Sequence, residues 1–235
     1  MLKRRGSNLI MNGIIAMALT LNICSWLLYA GQKTDATPRR SQIREDNVKP
    51  AGKLYALAKK AGKKHAYLTF QSDRGVIAAD IKEMMRRSSD VIVGRALKNR
   101  GYLNAEGDEM HRIVTIYVQN VFKGGIINGS GIEIKTLGGT WLYSDGTAMS
   151  WYPADARPVH DGRSYVLFLN REEEYYVPSF GVQSVMEMDF ETESIMPNDL
   201  FKLDPVVVKY KNAPLIEFLN EIRAAAKEEL TAAPY

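Results

Sequence analysis

Only one cysteine occurs in the 235 residues, Cys24, and it stands inside an apolar run. Residues 25–235 hold none, so no disulfide framework can brace a domain there. A chain exported to an oxidising compartment would rest on its core alone. Histidine is scarce too. His65, His111 and His160 are the full set, and no two stand at a ligand spacing such as His-x-x-x-His, so no metal site is expected. Gly-x-Ser-x-Gly, P-loop and dinucleotide fingerprints are missing. Gly124, Gly125, Gly129 and Gly131 form a glycine-rich connection, but it lacks the Lys-Ser/Thr that a phosphate cradle needs. No cofactor is expected.

Acidic residues are absent from the first thirty positions, which carry Lys3, Arg4 and Arg5. Residues 1–30 thus hold +3 and residues 31–65 hold +7, so of the net +4 residues 66–235 are left with −6. The basic balance belongs to the start of the chain. It gives no basic face to a folded domain, and nucleic acid is not an expected partner.

Leu9 to Ala30 is apolar, interrupted by Asn12, Asn22 and Ser25. Two readings fit it. Ile14 to Ile23, followed by Leu28-Tyr29-Ala30, has the layout of a cleaved signal peptide. The whole run also has the ~20 residues that cross a bilayer core. Either reading predicts export. The chain is periplasmic or secreted if cut, and anchored in the inner membrane through residues 9–30 if not. Lys33, Arg39, Arg40 and Arg44 follow closely and oppose outward translocation of that stretch.

Residues 31–50 are polar and read as a disordered basic linker. Residues 51–88 predict two short helices. Leu54, Leu57, Ala58 and Ala61 give the first, ringed by lysines, over 51–66; Ile77, Ile81, Met84 and Met85 give the second. The first helix either rests an apolar edge on the domain or touches anionic lipid.

From Ser89 the period changes to two, and residues 89–189 read as a β-domain. Val91 and Val93 alternate with Ile92, Gly94 and Ala96, a strand with both faces apolar. Val114, Ile116 and Val118 alternate with Thr115, Tyr117 and Gln119, a strand with one buried face. Ile132 to Leu137, Tyr165 to Leu169 and Gly181 to Met188 are further strands. Ser144-Asp145-Gly146 joins two strand-like runs as a hairpin turn. Residues 190–235 are an extension with an edge strand at Val206–Val208. A terminal helix follows over 213–230, capped by Asn212, with Leu215, Phe218, Leu219 and Ile222 as its buried stripe. The fold class is α+β, mainly β. The expectation is a small antiparallel OB-like barrel of five or six strands, with flanking helices and an N-terminal apolar helix.

Four segments carry a resemblance. They are Ser89-Asp90-Val91-Ile92-Val93-Gly94-Arg95, Val118-Gln119-Asn120-Val121-Phe122-Lys123-Gly124, Leu137-Gly138-Gly139 and Gly162-Arg163-Ser164-Tyr165-Val166-Leu167-Phe168-Leu169. In that order the chain resembles a family of uncharacterised bacterial exported or membrane-anchored proteins. Their small β-barrel is similar to the OB-like barrel of netrin modules and tissue inhibitors of metalloproteinases. The resemblance covers about a hundred residues in the middle of the chain and implies a fold. Those inhibitors use an N-terminal cysteine and several disulfides, which this domain lacks, so an inhibitor role does not carry over.

Three functions are weighed. The first is a non-enzymatic module, exported or tethered, that binds an envelope protein or glycan. The second is a hydrolase using His160 with Asp161 or Asp145, since a carboxylate-held histidine can act as a general base; His-Asp-Gly before a strand is equally an ordinary turn. The third is a structural accessory domain. Trp141, Tyr143, Trp151 and Tyr152 surround the Asp145-Gly146 turn and are the candidate binding residues. The same four residues also suit cross-strand pairing within the hairpin.

Overall fold

The computed structural model describes residues 52–62, 64–70, 77–201 and 203–232. The expected leader (1–30) and linker (31–50) lie outside the described residues. Along the chain, helix α1 (Lys53–Lys60) precedes strand β1 (His65–Phe70), and helix α2 (Ile81–Arg87) precedes strands β2 (Asp90–Leu103) and β3 (Met110–Lys123). Then come β4 (Gly131–Leu137), β5 (Gly139–Leu142), β6 (Ala148–Pro153), β7 (Ser164–Arg171) and β8 (Tyr176–Pro178). A 3₁₀ turn, Gly181–Ser184, leads to β9 (Val185–Asp189) and β10 (Ser194–Pro197). Helix α3 (Pro205–Tyr210), the short β11 (Ala213–Pro214) and helix α4 (Leu215–Ala232) finish the chain. This is a mainly-β α+β fold with four α-helices among the described residues. Among those residues no helix is long and apolar enough to cross a membrane.

The strands form two sheets. The smaller has the order β1-β6-β5, and the larger β11-β10-β9-β7-β2-β3-β4-β8. β8 also pairs back onto β7, so β7, β2, β3, β4 and β8 make a partial ring. The β4–β8 side of that ring is a single residue pair, Ile134 with Tyr176. That pairing is parallel, as is β1 with β6. The expectation of a purely antiparallel sheet is corrected at these two places.

Side-chain alternation explains the layering. On β2, Val91 and Val93 point to a core built with α2, α3 and α4, which includes Met84, Tyr210, Phe218 and Ile222. Ile92 and Ala96 point the other way, into the ring, against Val114, Ile116 and Ile134. β7 divides likewise, with Val166 and Phe168 toward the helices and Tyr165, Leu167 and Leu169 toward the ring. Strands buried on both faces read as continuous apolar runs, and both of these do. Three register shifts interrupt the β2–β3 ladder. Such irregularities bend and coil a strand pair. The far end of the hairpin leaves the ring and joins a third core, in which Leu103 and Met110 pack with Tyr143, Met149 and the buried edge of α1, Leu54 and Ala58.

Several local expectations change. The first helix stops at Lys60, and His65 to Phe70 continue as a strand that pairs with β6. Strand β2 runs on to Leu103, well past the alternating stretch that ends at Ala96. Val206–Val208 lies in a helix, because Asp204 caps it and Pro205 fits its first turn. Asn212 takes a left-handed turn, φ 63°, and the terminal helix begins at Leu215. The stripe on that helix is as expected, with Phe218 and Ile222 buried and Leu215 and Leu219 partly so.

Candidate functional site

Where the long hairpin crosses from the ring to the smaller sheet, it borders a cavity of about 480 Å³. One wall is His111 and Arg112 of β3 with Lys135 and Thr136 of β4. Tyr152 and Pro153 at the end of β6 and the loop through Val159 form a second. Val177, Pro178 and the chain through Gln183 form a third, and Asn198, Asp199 and Asp204 close one end. Small-molecule sites generally have this size and this mixture of apolar walls with a few polar groups.

Arg112 dominates the site. Counting back by twos from Val118, Ile116 and Val114, it occupies the inward phase of β3. The residue is 6% exposed. Its Nη1 donates to the carbonyl of Val159 at 2.8 Å, and its guanidinium carbon lies 5.1 Å from the centre of the Tyr152 ring. No carboxylate among the described residues pairs with it, and its Nε is buried without a hydrogen-bond acceptor. Burial pushes its pKa below the ordinary arginine value, opposed by Tyr152, Tyr165 and Asp161. Arginine nevertheless keeps its charge in proteins. A buried cation with no counter-charge costs several kcal/mol, roughly, compared with one in water. Three more buried polar atoms at the cavity have no partner among the described residues: Thr136 Oγ1, Ser179 Oγ and Asn198 Oδ1.

The other end of the cavity is tied together. Gln183 donates through Nε2 to Ala78 O and to Asp204 Oδ1, both at 2.9 Å, and accepts from Ala78 N at 2.8 Å. Asp204 Oδ1 also accepts from the amides of Val206 and Val207, at 2.8 and 3.2 Å. Burial raises the Asp204 pKa; its bonds to Gln183 and Val207 oppose this, and the neighbouring Asp199 carboxyl adds to the rise. These groups serve the packing of α3, and their side chains form the end wall.

The sign of the Asp204 shift sets a pH dependence. With a raised folded pKa, its contribution to stability is fully present below the unfolded value of about 3.9 and is lost as pH rises through the folded value. Asp204→Asn keeps the capping oxygen and removes the titration. Urea unfolding over a pH series is therefore expected to show a smaller decline above about pH 4 in Asp204→Asn than in the unaltered chain. Asp204→Ala removes the cap and is expected to cost about 1–2 kcal/mol at every pH. An equal decline in Asp204→Asn would contradict this assignment.

Comparison with protein-family models and with curated proteins finds no match for the chain. The site is therefore read on its own geometry.

The residues singled out in the sequence fall in different places. His160 is exposed, and its backbone N–H donates to the Tyr165 hydroxyl at 2.8 Å, which fixes the turn. Asp161 accepts a hydrogen bond from Asn99. Asp145 lies in the β5–β6 turn, where Lys59 at 2.8 Å and the Tyr55 hydroxyl at 2.9 Å hold it; Lys59 above all lowers its pKa. None of the hydrogen bonds or ion pairs formed by Asp145 or Asp161 involves the His160 side chain.

The four aromatic residues separate by strand alternation. Tyr143 is buried in the third core, and Trp141 and Trp151 pack against it. Trp151 also stacks on Phe70 with centroids 3.9 Å apart. Tyr152 faces the other way and lines the cavity. Sequence reasoning therefore reached one wall of the cavity and missed Arg112. The signal was an arginine in phase with the apolar positions of a strand.

Proposed function

We propose that this chain is a non-enzymatic binding module on an OB-like β-barrel, exported or tethered through residues 9–30, and that the Arg112 cavity receives an envelope component. The strand circuit β7-β2-β3-β4-β8-β7 supports the barrel reading, with four antiparallel pairings and one parallel step from β4 to β8. Sheets that curl onto themselves in this way protect their edges. The observation that carries the binding reading is the set of polar atoms of Arg112, Thr136, Ser179 and Asn198 that have no partner among the described residues, at one largely apolar cavity. Buried polar groups are normally satisfied, so a cluster left open at one cavity is arranged for an occupant that satisfies them. The occupant is a small molecule or a terminal group of a larger envelope component, protein or glycan.

The test uses the full-length protein in detergent, incubated with a small-molecule extract of its own cells' envelope and observed by native mass spectrometry. A bound species is expected, and Ser179→Phe, which fills the cavity, is expected to lose it while melting like the unaltered protein. No bound species, or one that Ser179→Phe retains, would contradict the reading.

A further inference from the structure

Arg112 has two requirements that the described residues leave unmet. Of its three guanidinium nitrogens only Nη1 has an acceptor among the described residues, and no carboxylate among them forms an ion pair with it. The carboxylates at the cavity are held elsewhere: Asp204 accepts at Oδ1 from Gln183 and from the start of α3. Asp199 accepts from the amide of Phe201.

The charge count limits the occupant further. Arg112, Lys135 and Arg157 line the cavity together with Glu172, Asp199 and Asp204, so three cations meet three acids. A balanced lining has no surplus for a dianion but accommodates one negative charge placed at its cationic wall. Apolar side chains complete the requirement. Val159 and Phe180 are buried, and Val177 and Pro178 are partly so. A bare, strongly hydrated oxyanion would lose its water there against surfaces that return nothing.

The geometry points to a small organic carboxylate as the occupant, its acid group on the free side of the Arg112 guanidinium beside Tyr152 and its apolar body against Val159, Val177 and Phe180. This rests on the binding-module reading and gives it a ligand class. Guanidinium and carboxylate match as a planar pair with parallel N–H···O bonds, and such charge-assisted bonds are stronger in a buried setting than in water. The Tyr152 ring already lies against the cation, so it presents an edge along which a flat or branched acid packs.

The test is calorimetric titration of the full-length protein with sodium benzoate, with benzamide as its neutral counterpart and with inorganic phosphate. Benzoate is expected to bind, and benzamide at least about tenfold more weakly, since it brings no charge to Arg112. Arg112→Met is expected to weaken benzoate by at least about tenfold, whereas Arg171→Gln, at an exposed arginine outside the lining, retains it within about threefold. Equal binding of benzoate and benzamide would overturn the carboxylate assignment while leaving a ligand cavity in place. Phosphate binding without benzoate would overturn it in favour of a bare oxyanion site. Failure of all three probes would overturn the carboxylate assignment, while the binding-module reading stands or falls on the envelope-extract experiment. Should Arg112→Met fail to fold, the benzoate–benzamide comparison on the unaltered protein still decides the question.

Discussion

Ile116→Asp is expected to destroy cooperative folding of the domain. Ile116 is fully buried on the inward face of β3, among Ile92, Val114, Val118 and Ile134. It packs into space left by Gly94 on β2, where a Cβ would collide with its side chain. A carboxylate placed there finds only apolar neighbours in that core. The cost is more than about 4 kcal/mol even after the carboxyl takes up a proton, comparable to the whole stability of a marginal domain. Ile116→Val deletes one methylene at the same point and is expected to cost about 1 kcal/mol. Urea unfolding followed by tryptophan fluorescence measures both. A loss below about 1 kcal/mol for Ile116→Asp would show that the ring has no closed interior at this position.

The second large effect is expected at Gly101. This residue lies in the outer half of β2, paired with Arg112 of β3. A Cβ there would run into the carbonyl oxygen of Thr140 on β5. The obstacle is backbone, which cannot swing away as a side-chain tip can. Gly101→Val must therefore move β5 off β2, and with it the sheet β1-β6-β5 that shares the third core. The expected cost is about 2–4 kcal/mol, the upper part of the range for overpacking. It should also be local. Hydrogen exchange is expected to speed up first at the amides of β5 and β6, while β7 and β9, in the other two cores, keep most of their protection. A uniform loss of protection would mean that the two sheets fold as one unit without the separable seam seen at Gly101.

These expectations show which parts of the molecule the sequence discloses. β2 and β7 are legible because both of their faces are apolar and each face meets its own core. The Asp145-Gly146 hairpin and the stripe on α4 are legible because local chemistry decides them. β1 is not legible. Its partner β6 lies about eighty positions away and parallel to it, as in His65 with Ala148, so no turn announces the pairing. α3 misleads because three consecutive valines favour a strand, yet Asp204 and Pro205 start a helix under them. The aromatic group around the hairpin was visible as a cluster, but alternation sends Tyr152 to the cavity and Tyr143, with Trp141 and Trp151 against it, to the third core. Arg112 was visible only as a conflict between a charge and an apolar period. Such conflicts between local rule and global fold concentrate at functional sites.

Arg112, buried and without an ion-pair partner among the described residues, is proposed to receive an organic acid. Its Nε–H nitrogen resonance reports on this directly, because Nε is buried without an acceptor. Arg100 provides the internal control. Its Nε is likewise buried without a partner, while its Nη2 pairs with Glu133 at 3.2 Å, away from the cavity lining. During titration of the full-length protein with benzoate, the Arg112 resonance is expected to move and saturate while that of Arg100 stays in place. A stationary Arg112 resonance at benzoate concentrations that saturate the calorimetric signal would contradict the account.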